Sequence, residues 1–305
     1  MTYNLRMFLE GRTSLRVHCW GGLGSQLYAW ALVEDLMHEF PHRKVQLVLH
    51  SSGVTKRQSD LDFLGLELPL TVIDDFKDSL TVLHRTGKRN FMKKFKISRL
   101  VKFVLHTLGF LASANTNDEY KKIRRWTTQV RGHYSYRTIS KETLSLMKIR
   151  SERCGKSWLI ADNSVSLGSD ILQIHVRLGD LLLLDSKGPL PFERIFFAVD
   201  QYKMTDSNSK SIFLASDSPE VALQYFQQRY PYDTITPIIQ DPWSTILNLS
   251  SGGAFIGTNS KLSVWVAILK LNQDIASKVF LPNGSMNHLK YNLIAISETT
   301  SLSLY

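Results

Sequence analysis

Four clusters set charged or small polar residues beside a glycine or a helix start at the end of an apolar run, where parallel α/β proteins hold their ligands. The first is His175-Val176-Arg177-Leu178-Gly179-Asp180. The guanidinium of Arg177 is planar, permanently charged and able to make paired hydrogen bonds to phosphate, which suits a diphosphate leaving group. Alternation along a strand puts His175 on the face that carries Arg177. The competing structural reading is an ion pair between Arg177 and Asp180. The second cluster runs from Ala254 to Ser263, where Thr258, Asn259, Ser260 and Ser263 follow a strand and open a helix. Such a start favours an anion through its N–H groups and the positive helix end. Plain N-capping by Asn259 or Ser260 explains the same residues.

The third cluster is the glycine turn Gly21-Gly22-Leu23-Gly24-Ser25-Gln26, at which a backbone can approach a ligand closely. Packing alone also uses such turns, and no Gly-Lys-Ser or Gly-Lys-Thr follows, so this is not a P-loop. The fourth is Ala215-Ser216-Asp217, whose carboxylate either holds a ribose or base edge or caps the helix that starts near Pro219. No metal is expected. Asp60-Leu61-Asp62 has the D-x-D spacing of a divalent-ion site without a strand end around it, Asp74-Asp75 reads as a solvated turn, and no histidine pair has helical ligand spacing.

The elements that position these residues read as α/β. Leu15 to Trp20 is strand-like, Ser25 to Phe40 helical, Val45 to His50 a second strand and Pro69 to Ile73 a third. Beyond Ser169, strand-like runs at Ile171 to Leu178, Ile212 to Ala215, Thr234 to Ile239, Ala254 to Gly257 and Val279 to Leu281 alternate with helical segments. Those segments are Pro191 to Tyr202, Pro219 to Arg229, Pro242 to Leu249 and Ser260 to Asn272, three of them with proline at the start, where a missing N–H costs little. This alternation predicts a parallel sheet with helices on both faces. The boundary between two domains, 1–160 and 161–305, is expected in the polar stretch Ser151 to Asp170.

Composition agrees. A chain of 305 residues, 43% hydrophobic, has apolar side chains enough for two cores. It shows no secretory signal pattern and no bilayer-length apolar run, and Cys19 and Cys154 are too few for a disulfide scaffold, so a cytoplasmic protein is expected. The net charge of +10 is concentrated between Lys77 and Arg137. Within it, Lys88 to Ala112 mixes basic and apolar residues in the manner of a helix lying on an anionic membrane, or of a core helix with a solvated basic face. A non-enzymatic membrane- or nucleic-acid-binding protein is the alternative that this charge keeps open. No nucleic-acid-binding motif accompanies it, and nucleic acid is not the expected partner.

In this order the clusters resemble the α-1,2-fucosyltransferase family of the bacterial type and, more distantly, the protein O-fucosyltransferases. The family's G-G-L-G-N-Q is matched by Gly21 to Gln26, its H-x-R-R-G-D by His175 to Asp180, its S-D-D by Ser216 to Ser218, and its N-S-T-F-S-W-W-G-A-W-L by Asn259 to Leu269. The resemblance implies a GT-B fold of two facing Rossmann-like domains with a helical insertion in the first. It further implies inverting transfer from GDP-L-fucose to a glycan hydroxyl in surface polysaccharide synthesis, with no metal or other cofactor. Arg177 would stabilise the GDP leaving group, the Ser260 helix start with Thr258, Asn259 and Ser263 would hold phosphate, and His175 would contact the nucleoside. Gly22, Gly24 and Gln26 would face the donor from the other domain, and Asp217 would complete the donor site. Asp180 is the leading catalytic base, with Asp185 and Glu34 behind it.

Three positions depart from the family pattern. Leu178 stands for the second arginine and Ser25 for the asparagine. Thr245 stands where the family has an aspartate suited to reading guanine, with Asp241 or Asp217 as substitutes, so another inverting GT-B transferase with a different nucleotide sugar is the alternative within enzymes.

Overall fold

The computed structural model describes residues 14–51, 59–73, 103–158, 171–179, 189–205, 211–272, 278–283 and 301–305. The chain divides into two compact units, Met1–Lys156 and Ser157–Tyr305. Each is built on a parallel sheet with helices between the strands, the α/β class read from the alternation of elements.

In the first unit the apolar-rich run Leu15–Trp20 forms β1, and Val45–His50 forms β2 beside it. Leu70–Ile73 is β3, Leu111–Ser113 is β4 and Gln129–Arg131 is β5, giving the order β3-β2-β1-β5-β4. Helix α1 spans Leu23–Glu39 and packs on β1 and β2; α2 is the single turn Asn117–Tyr120, and α3 spans Lys141–Arg153. Gly21 enters α1 with φ +107°, a conformation that only glycine adopts readily. Ser140 caps α3 by accepting the Thr143 N–H at 3.0 Å. The helix includes Ser151, so the polar stretch expected to hold the boundary begins inside an element.

Glu34, a candidate base on sequence grounds, is instead a tie between α1 and α3. It is buried, accepts the Trp30 indole N–H at 2.6 Å and takes two bonds from Arg150 at 2.5 and 3.0 Å. A carboxylate so enclosed is a structural anchor.

In the second unit β6 is Ile171–Val176, β7 Ser211–Ser216, β8 Thr234–Ile238, β9 Ala254–Gly257, β10 Lys278–Leu281 and β11 Ser301–Leu304. Their order, β11-β10-β9-β6-β7-β8, is that of a doubly wound dinucleotide-binding sheet read from its far edge. Helices α4 Phe192–Thr205, α5 Pro219–Arg229, α6 Pro242–Ser250 and α7 Lys261–Asn272 connect them, and Pro219 and Pro242 each open a helix. Leu172, Ile174 and Val176 of β6 join Ile195, Val199 and Phe226 in the core, and Leu178 is buried there too. An aliphatic residue therefore suits the place where the resembled family has a second arginine.

Most of Lys88 to Ala112 lies outside the described residues; in its described part Phe103, Val104, Leu108 and Phe110 are exposed. Among the described residues no helix is long and apolar enough to cross a membrane.

Lys270 is fully buried and donates to the carbonyls of Gly252 and Gly253, two glycines with φ of +56° and +53° that turn the chain from α6 into β9. Burial pushes this ammonium from 10.5 down to about 7. Between those values the unfolded chain binds the extra proton, so stability rises with pH. Denaturant unfolding should show stability climbing from about pH 7 towards pH 10, and Lys270→Met should remove the climb. An unchanged slope in the variant would assign it to other groups.

Candidate functional site

From β6 the chain steps outward through β7 and β8, then returns to the other side of β6 with β9. Connections leaving β6 and β9 therefore go to opposite faces, and a crevice opens between their carboxyl ends. The residues at that crevice are Arg177 to Gly179 after β6 and Thr258 to Ser260 after β9, with Asp217 following β7.

The backbone under Arg177 is fixed from both sides. Thr258 Oγ1 accepts the Arg177 N–H at 3.1 Å, and Asp217 Oδ1 accepts the Leu178 and Gly179 N–H groups at 2.8 and 3.1 Å. A side chain on Gly179 would collide with the Asp217 carboxylate as it stands and would have to push it off these N–H groups. Asp217 is therefore neither a helix cap nor an unengaged carboxylate; the residue at the N-cap of α5 is Ser218, which makes no side-chain cap bond.

His175 is buried with Nδ1 2.7 Å from Ser263 Oγ, which also accepts the Thr258 N–H at 3.1 Å. Burial, more than the opposed charges of Asp217 and Arg177, lowers its pKa to about 4. The imidazole is neutral at pH 7, and its ties make it a brace between β6 and α7. Ser260 caps α7, its Oγ accepting the Leu262 N–H at 3.2 Å and its carbonyl the Val264 N–H at 3.1 Å, while Asn259 is exposed.

Within the second unit the fold thus brings together His175, Arg177, Asp217, Thr258, Ser260 and Ser263. Asp180 and Asp185 lie outside the described residues. Thr245 is buried in α6, and Asp241 caps that helix, accepting the Ser244 N–H at 3.1 Å. Tyr305 escaped the sequence reading; its hydroxyl donates to the Gly257 carbonyl at 2.6 Å and supports the end of β9. The alternation Ser-Leu-Ser-Leu ahead of it, which forms β11, was the available signal.

The glycine turn belongs to the first unit. Gly22 is the N-cap of α1, with open space where a side chain would stand, and Gly24 is buried in the first turn. Gln26 is a buried clip, donating to the Gly21 carbonyl at 3.1 Å and accepting the Asp60 N–H at 3.0 Å. Asp62 is exposed at the start of a 3-10 turn, Asp62–Leu66.

Chemically, the second-unit crevice offers a half-buried permanent cation on an immobilised backbone, beside a helix N-terminus and a neutral imidazole. That combination is chemically suited to a multi-oxygen anion. No protein-family model and no curated protein matches the chain. Solved structures match along most of it at low identity. E. coli heptosyltransferase WaaC with ADP is 11% identical over 95% of this chain and 93% of that chain, with a TM-score of 0.44. A glycosyl transferase family 9 structure from Veillonella parvula is 10% identical over 96% and 87%, at a TM-score of 0.47. A mutant of Arabidopsis thaliana FUT1 in complex with GDP is 11% identical over 92% and 73%, at 0.44. These neighbours are GT-B glycosyltransferases.

Asp217 is itself exposed, so its removal lets water reach the Leu178 and Gly179 N–H groups, and the net loss is about 0.5–1.5 kcal/mol per hydrogen bond. Asp217→Ala should lower unfolding free energy by that order in urea, and Asp217→Asn, which keeps an acceptor oxygen, by less. Equal stability of the alanine variant would show that the Asp217 clamp does not hold the Arg177 backbone.

Proposed function

We propose that the protein is an inverting glycosyltransferase of the GT-B type that binds a nucleotide diphosphate sugar in its second unit. The observation that carries this reading is Arg177, presented at the switch point of a doubly wound sheet on a backbone clamped by Thr258 and Asp217. In the reaction the acceptor hydroxyl oxygen attacks the anomeric carbon, the bond from that carbon to the diphosphate oxygen breaks, and a base takes the hydroxyl proton. Arg177 meets the charge that develops on the departing diphosphate, together with the α7 N-terminus, so no divalent ion is required. Asp180 is proposed as the base. The motif order from Gly21 to Leu269 favours GDP-L-fucose as donor, and an acceptor glycan destined for surface polysaccharide.

A second reading, a different nucleotide sugar on the same machinery, is favoured by one observation. Thr245 offers no carboxylate, Asp241 is engaged as a helix cap and Asp217 as a backbone clamp, so a guanine-reading acid is not evident among the described residues.

Ligand that binds only the folded state raises the melting midpoint. Among GDP, UDP, ADP and CMP, GDP is expected to give the largest shift, and a shift by another nucleotide alone would replace the fucosyl donor. Arg177→Ala and Arg177→Lys should both cut turnover by at least about tenfold, since lysine cannot make paired contacts. Activity should persist in excess EDTA; loss on chelation with recovery in manganese would overturn the metal-free mechanism.

The enzyme is also proposed to work at an anionic membrane surface. Exposed Phe103, Leu108, Phe110 and Trp126 lie close in the chain to exposed Lys121, Lys122, Arg124 and Arg125, and the Trp126 indole donates to the Leu108 carbonyl at 2.9 Å. The protein should co-sediment with anionic liposomes at low salt and not with neutral ones. Replacing Lys93, Lys94, Lys96 and Lys102 with glutamine should weaken this while sparing activity on a soluble acceptor; undiminished binding would remove the role of that segment.

A further inference from the structure

A buried carbonyl that runs past the end of its ladder must find another donor. In the second sheet the β9–β10 register ends with Ile256 opposite Phe280, while β9 continues one residue further to Gly257, opposite His175 of β6. The Gly257 carbonyl accepts the hydroxyl of Tyr305 at 2.6 Å. Tyr305 follows β11, and β10 lies between β11 and β9, so the side chain reaches across a whole strand to make this bond.

Tyr305 is itself held in place. Its N–H donates to the Leu281 carbonyl at 3.0 Å, and its backbone oxygen accepts the Asn283 N–H at 2.9 Å and Arg194 Nη2 at 2.7 Å. The ring belongs to the core that contains Ile256 and Phe280. Phenylalanine would fill the same space, and a buried hydroxyl costs free energy unless it is paired, so the bond to Gly257 is what the tyrosine adds. Burial pushes the phenol above its ordinary range, which keeps the hydroxyl a donor.

The residue after Gly257 gives this bond its reach. Thr258 donates its N–H to Ser263 Oγ at 3.1 Å, accepts the Arg177 N–H on Oγ1 at 3.1 Å, and accepts the Ser260 N–H on its carbonyl at 2.7 Å. It therefore joins the end of β6 to the start of α7. Gly257 is wedged beside it, since a Cβ there would stand 2.7 Å from Leu281 and Ser263 and 2.9 Å from Phe255. With β10 on one side, α7 on the other and the phenol on its carbonyl, Gly257 determines where Thr258 stands.

We infer that Tyr305 is a positioning residue for the anion site of the second unit. Its hydroxyl fixes Gly257 and, through Thr258, the backbone of Arg177 and the N-terminus of α7. Resting on the transferase reading, Tyr305 acts on the diphosphate part of the donor and not on the nucleoside.

The full chain is compared with Tyr305→Phe, Thr258→Val and the double variant. Amide hydrogen exchange needs no ligand. In Tyr305→Phe the Thr258 and Arg177 N–H groups should exchange at least about tenfold faster, while those of Leu178 and Gly179, held by Asp217, keep their rates. A uniform change at all four, or none, would overturn the proposal by marking Tyr305 as core support. The nucleoside diphosphate that shifts the wild-type midpoint most is then titrated beside its parent nucleoside. Tyr305→Phe should weaken the diphosphate about three- to tenfold, the order of one hydrogen bond, and leave the nucleoside unchanged. Because Tyr305 acts through Thr258, its substitution should add little in the Thr258→Val background. Equal weakening of both ligands, or a full additional loss in that background, would overturn the proposal. Should no nucleoside diphosphate bind the wild type, the transferase reading falls, and hydrogen exchange alone decides whether Tyr305 orders the crevice.

Discussion

A strand that leaves a parallel sheet takes its backbone N–H groups out of the ladder, and each must find an acceptor or be solvated. At the end of β6 the Arg177, Leu178 and Gly179 N–H groups find theirs in the side chains of Thr258 and Asp217. Both acceptors are available only because β6 lies between β9 and β7. The identities of several residues follow from this arrangement. A side chain on Gly179 would displace the Asp217 carboxylate from its two N–H groups, Leu178 is buried in the core, and Arg177, half-buried, stands between them and β6 in sequence. The same three strand ends that satisfy the backbone thus decide where the cation stands.

Elsewhere the interior treats polar groups as ties. Gln173 on β6 donates to the Asn248 and Ser251 carbonyls at the end of α6, Lys270 holds the glycine turn into β9, and Glu34 joins α1 to α3 through Arg150. Each is a long side chain that reaches backbone or an opposite charge, as buried polar groups do. Arg131 departs from this pattern, since its Nε and Nη2 are buried and meet no acceptor among the described residues.

The second unit was legible because its elements are long and punctuated. Helix α5 occupies the predicted span, α6 and α7 differ from theirs by a residue at one end, and prolines opened two of the helices. Strands β4 and β5 were not legible, since three residues cannot show alternation and these are held by neighbours rather than by their own pattern. Missing β5 hid Arg131 and Gln129, and with them the register partners of His18 and Arg16. In the second unit the fold brings together residues that the sequence grouped at strand ends, but the partner of Asp217 lies 38 residues away at Gly179, a contact that no local signal announces. His175 and Gln26, expected to meet ligand, are engaged with Ser263 and with Gly21 and Asp60.

The choice of arginine at the switch point of the second sheet, and in the buried end of β5, follows from what the interior does to other bases. Burial brings the Lys270 ammonium to about 7 even though two carbonyls accept from it, and it holds the rings of His18, His50 and His175 near 4. An ammonium or imidazolium placed at such depth would surrender its proton near neutral pH and present an anion with a neutral donor. Burial lowers Arg131 from its ordinary value as well, yet a guanidinium begins so high that it keeps its charge. In a fold that desolvates its strand ends, only arginine remains a cation at neutral pH, and the neutral histidines serve as hydrogen-bonding partners.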